Sequence, residues 1–189
     1  MQAYVLINSL MAFKGKYRPK NPHKVIGDIN EITFRSSWER SLMVWLDQNS
    51  KVISWGSEVI VIPYLYKADN KIHRYFVDFI IKFEGGEILL VEVKPNKQTQ
   101  QPEKKPKQSR NKYLKESLTY IKNQNKWEAA RAYCEKQGWV FCVWDEFHLK
   151  SLGIKLYKPL AKLRNGRTKK STKSNAATKI RRSKTPNKP

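Results

Sequence analysis

A chain of 189 residues with 38 Lys or Arg, 16 Asp or Glu and a net charge of +22 is one domain with an appendage, not two full domains. Its 40% hydrophobic and 12% aromatic content is enough for a core, and the charge asks for a polyanionic partner, nucleic acid first and a membrane surface second. No stretch approaches the roughly 18 apolar residues of a spanning helix, and three scattered His with two Cys do not suggest a zinc site.

Residues 1–24 read as an N-terminal basic arm ahead of a core at 25–157. The first ten fit poorly with the residues after them. Met11-Ala12-Phe13-Lys14-Gly15-Lys16 looks like a fresh start, and no signal peptide is read in the segment before it. Lys14, Lys16, Tyr17, Arg18 and Lys20 suit a surface arm that touches nucleic acid or merely a solvated leader.

Ser37 to about Gln48 is the first clear helix. Ser36-x-x-Glu39 matches a capping box, and Trp38, Leu42 and Trp45 repeat at helical spacing. Glu39 therefore has two readings. It is the capping acid, or a carboxylate at the head of an apolar row that reaches a neighbouring strand.

Val52–Trp55 and Glu58–Pro63 read as strands, Lys67–Lys71 as a turn, and Arg74–Phe83 as one strand with Asp78 among large apolar residues. A lone Asp in mid-strand fits neither a cap nor a turn, which favours a functional carboxylate. The next strand, Ile88-Leu89-Leu90-Val91-Glu92-Val93-Lys94-Pro95, is apolar enough to be central, yet carries Glu92 and Lys94 on one face about 7 Å apart. Two charges at the end of such a strand are costly unless they bind something.

The loop between these strands tests the reading. Glu84-Gly85-Gly86 can close a three-residue hairpin with a left-handed Gly, which pairs Phe83 with Glu87 and sets Asp78 opposite Glu92, β-carbons about 5 Å apart. A two-residue loop would oppose Asp78 to Val93, on the wrong face.

Beyond Pro95 the chain is polar to about Arg110, a mobile basic connection beside the site. Two helices are expected, Tyr113–Ile121 and a stronger one at Gln124–Gln137 with Gly138 as C-cap. Trp139–Trp144 is a last strand, capped by Asp145–Leu149. Cys134 and Cys142 read as free thiols of a reducing cytoplasm. Lys158–Pro189 holds no acid and a dozen Lys or Arg, so it should be a disordered tail that binds nucleic acid without reading sequence.

Glu39 on a helix, Asp78 in a strand and Glu92-x-Lys94 in the next form the pattern of a metal-dependent phosphodiesterase. Asp78 and Glu92 would ligate Mg²⁺, a hard cation that prefers oxygen, with Mn²⁺ a substitute and the Val93 carbonyl a further donor. Glu39 would bind the ion directly, through water, or hold a second one. Lys94 would orient or deprotonate water and offset charge in the transition state. The plain alternative for Glu92 and Lys94 is a same-face ion pair.

The order Glu39, Asp78-Phe79, Glu92-Val93-Lys94 resembles the PD-(D/E)XK nuclease superfamily. Ser37-Trp38-Glu39 and Val93-Lys94-Pro95 are similar to its TnsA-like branch, with Phe76-Val77 standing where Pro often precedes the Asp. Met11–Pro19, Trp38-Glu39-Arg40, His73-Arg74-Tyr75-Phe76 and Asn125–Ala130 resemble, more closely still, the head-completion nucleases of T-even-type phages, over about Met11 to Leu152. That resemblance implies a restriction-endonuclease-like α/β core, a mixed sheet flanked by helices, and a Mg²⁺-dependent endonuclease acting on double-stranded DNA. It also implies work in the bacterial host cytoplasm or on the virion, where packaged DNA ends are processed or protected beside portal or head-completion proteins.

Arg35, Arg40, His73, Arg74 and Lys126 could position phosphates, Tyr75 could stack on a base, and Lys97 and Gln98 lie just past the active strand. Each has a solvated-surface reading as well. The rivals to the nuclease are a non-catalytic DNA-binding head-assembly protein and a basic RNA-binding protein. The latter lacks RNP-like aromatics or a GXXG loop.

Overall fold

An apolar strand that carries no alternation must be covered on both faces, and Ile88–Val93 is. In a computed structural model the described residues are 14–156. In chain order they form β1 (Gly15–Lys16), β2 (Thr33–Phe34), α1 (Ser37–Gln48), β3 (Val52–Ser57), β4 (Val61–Tyr66), β5 (Lys71–Phe76), β6 (Phe79–Phe83), β7 (Ile88–Val93), α2 (Arg110–Gln137), β8 (Val140–Trp144) and α3 (Glu146–Ser151). The expected disordered tail at 158–189 and the fresh start at Met11 lie outside the described residues.

The central sheet runs β3-β6-β7-β8, with β7 between antiparallel β6 and parallel β8. It is the expected mixed sheet. Parallel neighbours cannot be joined by a hairpin, and the crossover from β7 to β8 carries α2. Side chains of alternate parity then face opposite helices. Phe79, Ile81, Leu89, Val91 and Val93 pack with Leu42, Met43 and Leu46 of α1. Ile80 and Leu90 pack with Ala130 and Cys134 of α2, and with Ile62, Tyr64 and Tyr75 of the β4-β5 ribbon.

The hairpin between β6 and β7 has the odd loop that the count required. Phe83 N–H donates to the Glu87 carbonyl at 2.9 Å, Gly86 N–H donates to the Phe83 carbonyl at 3.0 Å, and Gly86 has φ +84°. The ladder Phe79↔Val91, Ile80↔Leu90, Ile81↔Leu89, Lys82↔Ile88 ends one step before Asp78, whose place in that register is opposite Glu92.

Three expectations need correction. The strand expected at Arg74–Phe83 is two strands, because β5 pairs with β4 while β6 pairs with β3 and β7. Asp78 stands at the break between them. There the Val77 N–H donates to the Ile60 carbonyl and the Glu58 N–H to the Asp78 carbonyl. The helices expected at Tyr113–Ile121 and Gln124–Gln137 are one helix, since Asn123-Gln124-Asn125 contains no Gly or Pro to stop it. Instead the Asn125 side chain accepts the Lys67 N–H at 3.0 Å, which ties the ribbon turn to α2. Third, Glu146–Ser151 is a short helix of its own, N-capped by Asp145.

Residues 14–24, the described part of the basic arm, are tied to α1 by buried Asp47. Its carboxylate accepts the backbone N–H of Lys20 at 2.8 Å and of Asn21 at 3.0 Å. Tyr17 adds an edge contact to Trp55 at 5.9 Å between ring centres.

Candidate active site

Glu92 is 1% exposed, at the end of β7 and on the face toward α2. A buried carboxylate must be paired or hydrogen-bonded, and both of its oxygens are engaged. Oε1 meets the Lys94 ammonium at 2.9 Å and Oε2 accepts the Tyr75 hydroxyl at 2.8 Å. Asp78, opposite, accepts the Val93 backbone N–H on Oδ2 at 2.8 Å. The structure thus brings Asp78, Glu92 and Lys94 together on one face.

The electrostatics are strained. Burial, and then repulsion from Glu92, hold the Asp78 carboxyl well above the usual carboxylate range, against the pull of Lys94 and the Val93 N–H. Burial pulls the Lys94 ammonium down, but Glu92 and Asp78 outweigh it and carry Lys94 above its ordinary value. The Tyr75 hydroxyl is raised by burial and by Glu92, so it stays a proton donor.

Glu39 is not drawn into this cluster. Its carboxylate accepts the Arg35 N–H at 2.7 Å and the Ser36 hydroxyl at 2.8 Å, while Ser36 Oγ accepts the Glu39 N–H at 3.1 Å. The Ser36 half of the capping box is formed, and Glu39 reaches one residue further back, to the N–H of Arg35. Glu39 nevertheless lies close enough to act on both Asp78 and Lys94, weakly, through its charge.

Tyr75, expected to stack on a base, is 1% exposed and has no face open to one. Its work is internal. The hydroxyl holds Glu92, and the Lys126 ammonium of α2 lies over its ring, 4.8 Å from the centre. That pairing contributes on the order of 1 kcal/mol. It also brings Lys126 beside the carboxylates, where burial first, and then Lys94, hold its ammonium below the ordinary lysine range against the pull of Glu92 and Asp78.

The other expected DNA contacts are dispersed. Arg35 pairs with Glu58 at 2.7 Å, Arg40 lies over the Phe34 ring, and Arg74 over Phe76 on the exposed side of β5. His73 meets Asp69 at 2.8 Å between the rings of Tyr64 and Tyr66. Lys97 and Gln98 are exposed in a single 3-10 turn just after β7.

That turn is anchored by residues the sequence reading missed. The Asn96 N–H donates to Glu146 at 2.8 Å and its side-chain amide to Asp145 at 2.9 Å, while the Lys94 N–H donates to the Trp144 carbonyl at 3.1 Å. The strand end that carries Lys94 is therefore clamped to β8 and α3. Asp145 carried a signal, as an N-cap before a helix, but its reach to Asn96 had none.

Two carboxylates that repel each other across a strand pair, both hard oxygen donors, fit a divalent cation of the Mg²⁺ type. Asp78 and Glu92 are the residues that would hold it. Among the described residues, no three His, Cys, Asp or Glu side chains converge as a metal-holding group, Glu39 included.

Comparison with known proteins bears on this arrangement. The profile described as TnsA-like endonuclease N terminal matches residues 49–146, a span that takes in Asp78, Glu92, Lys94 and Lys126 and stops short of Glu39. The chain is also similar to the head completion nuclease of Enterobacteria phage T4, with 41% identity over 148 residues that cover 77% of this chain and 99% of the relative.

Proposed function

The chain belongs to the TnsA-like endonuclease family, and from that we propose that it is a divalent-metal-dependent endonuclease acting on double-stranded DNA in phage head completion. The observation that supports this best is the meeting of Asp78, Glu92 and Lys94 at the end of β7, two carboxylates and an ammonium in one place.

A divalent cation held by Asp78 and Glu92 supplies a Lewis acid for the phosphoryl oxygen and acidifies water. The rest is the work of the chain. The Val93 N–H fixes Asp78, and Tyr75 fixes Glu92. Lys94, held by Glu92, presents its ammonium to the charge that develops on the phosphate in the transition state. Glu39 orders the start of α1 at the rim. Residues 25–157 carry the reaction, and the basic segments at 1–24 and 158–189 add sequence-independent hold on the DNA backbone. Mg²⁺ is the ion, Mn²⁺ substitutes for it, and the setting is the infected bacterial cytoplasm or the virion beside portal or head-completion proteins.

The test is incubation of the purified protein with linear and supercoiled DNA in Mg²⁺, Mn²⁺ or chelator, beside Asp78→Ala and Lys94→Ala. Metal-dependent cutting lost in both variants, with DNA binding kept, supports the proposal. No cutting, or equal cutting by the variants, favours a DNA-binding assembly protein without catalysis.

A further inference from the structure

Lys126 is a half-buried cation that the protein leaves without an anion. It makes no ion pair within 4.0 Å among the described residues, and the helix gives it no chance of one. The positions one turn away on α2 are Lys122, Asn123, Ala129 and Ala130, none acidic, and the nearby Glu128 is paired to Lys67 at 3.1 Å. The same stripe is poor in acceptors. Asn123 Nδ2, three residues before, is a buried donor that has no partner either.

What holds Lys126 is the face of Tyr75, at 4.8 Å. A phenol that donates its proton to a carboxylate has a more electron-rich ring, so the 2.8 Å bond from Tyr75 to Glu92 strengthens its grip on the ammonium. Glu92, Tyr75 and Lys126 thus form one unit that links β7, β5 and α2. A desolvated cation kept beside two carboxylates, yet not neutralised by them, is a standing cost unless it meets an anion from outside.

On the reading that this site cuts DNA, we propose that Lys126 is its second lysine, a substrate-contacting group that takes a backbone phosphate beside the one faced by Lys94, with Tyr75 as its positioning residue. The site then grips the strand from two elements, β7 and α2. Cutting requires the two lysines to meet neighbouring phosphates together.

The experiment uses the full chain and compares Lys126→Met, which keeps the apolar stem, Lys126→Arg, which keeps the charge, and Tyr75→Phe. Thermal melts screen each for folding. Binding to a short duplex is measured in chelator across a salt series, and cleavage is measured separately in Mg²⁺. Loss of one phosphate contact lowers the slope of log affinity against log salt by about 0.9. The expected result is that fall in Lys126→Met but not in Lys126→Arg. In Mg²⁺, kcat is expected to drop about 10- to 100-fold in Lys126→Met and less in Tyr75→Phe, and KM of Lys126→Met is expected to rise with the weakened binding. An unchanged slope overturns the proposal. So does a lower slope with unchanged kcat, which would make Lys126 a remote contact. If the unaltered chain cuts nothing in Mg²⁺ or Mn²⁺, the nuclease reading fails, and the slope alone then decides whether Lys126 meets a phosphate.

Discussion

Asp78 accepts the backbone N–H of Val93 at 2.8 Å while facing Glu92 across the same strand pair, so the chain holds one carboxylate against another. Such an arrangement trades stability for function. Asp78→Asn keeps an oxygen for the Val93 N–H and removes the repulsion. It should raise the melting temperature by about 2–4 °C, the shift that corresponds to about 1 kcal/mol for a chain of this size. Cleavage should fall by about 10²–10³. Calorimetry and a cleavage assay on the same preparation check both, and a variant that is less stable would contradict the strain.

Lys94 and Glu92 are a structural pair before they are anything else. Removing one partner of a buried pair costs about 3–5 kcal/mol, because the other charge stays behind unpaired. Lys94 is 26% exposed, so Lys94→Met should cost less, about 2–3 kcal/mol in urea unfolding at neutral pH. Adding Glu92→Gln removes the orphaned charge, since the amide still bonds to Tyr75, and should restore most of that stability with none of the activity. Additive losses in the double variant would mean that the two side chains are not coupled.

What was legible in the chain was local. Glu84-Gly85-Gly86 can close an odd loop as well as an even one, and the odd loop is the one that sets Asp78 to face Glu92. Ser36 and Glu39 announce their own cap. What was hidden depended on distant packing. Nothing between Phe76 and Phe79 marks the break at Asp78, because no Gly or Pro interrupts an apolar run. Tyr75 reads as a surface aromatic until the β4-β5 ribbon is laid on α2, which buries its ring and turns its hydroxyl to Glu92. Lys126 could be named as a phosphate contact from its charge. That it lies beside the carboxylates is set only by the crossover of α2.

Glu39 separates its two readings by substitution. Its carboxylate accepts from Arg35 and Ser36, so Glu39→Ala should lose about 1 kcal/mol of stability as a broken cap. Glu39→Gln keeps an acceptor for the Arg35 N–H and should lose at most half of that. If Glu39 only caps α1, Glu39→Gln cuts DNA within about threefold of the unaltered chain. A loss of about tenfold or more, with the melting curve unchanged, assigns the carboxylate to the reaction.

Asp145 gives the clearest pH dependence. Burial raises its pKa, but the N–H and ring of His148, the Asn96 amide and the Phe147 N–H outweigh it and leave the carboxyl below its usual range. A folded-state pKa below the unfolded value of about 3.9 means that the ionised form stabilises the fold. That stability is fully present above about pH 5 and is lost as the pH falls through the lower, folded-state value. Asp145→Asn keeps a good N-cap but gives up the charge-assisted bonds, and should be about 1 kcal/mol less stable at pH 7. The gap should close as the pH drops below about 4, where the unaltered chain loses the same advantage. Urea titrations of both proteins at several pH values read it directly. Because Asp145 also holds Asn96, two residues past Lys94, the variant should lower kcat at pH 7 without changing DNA affinity. A gap that stays constant with pH would mean that the charge on Asp145 does not support the clamp.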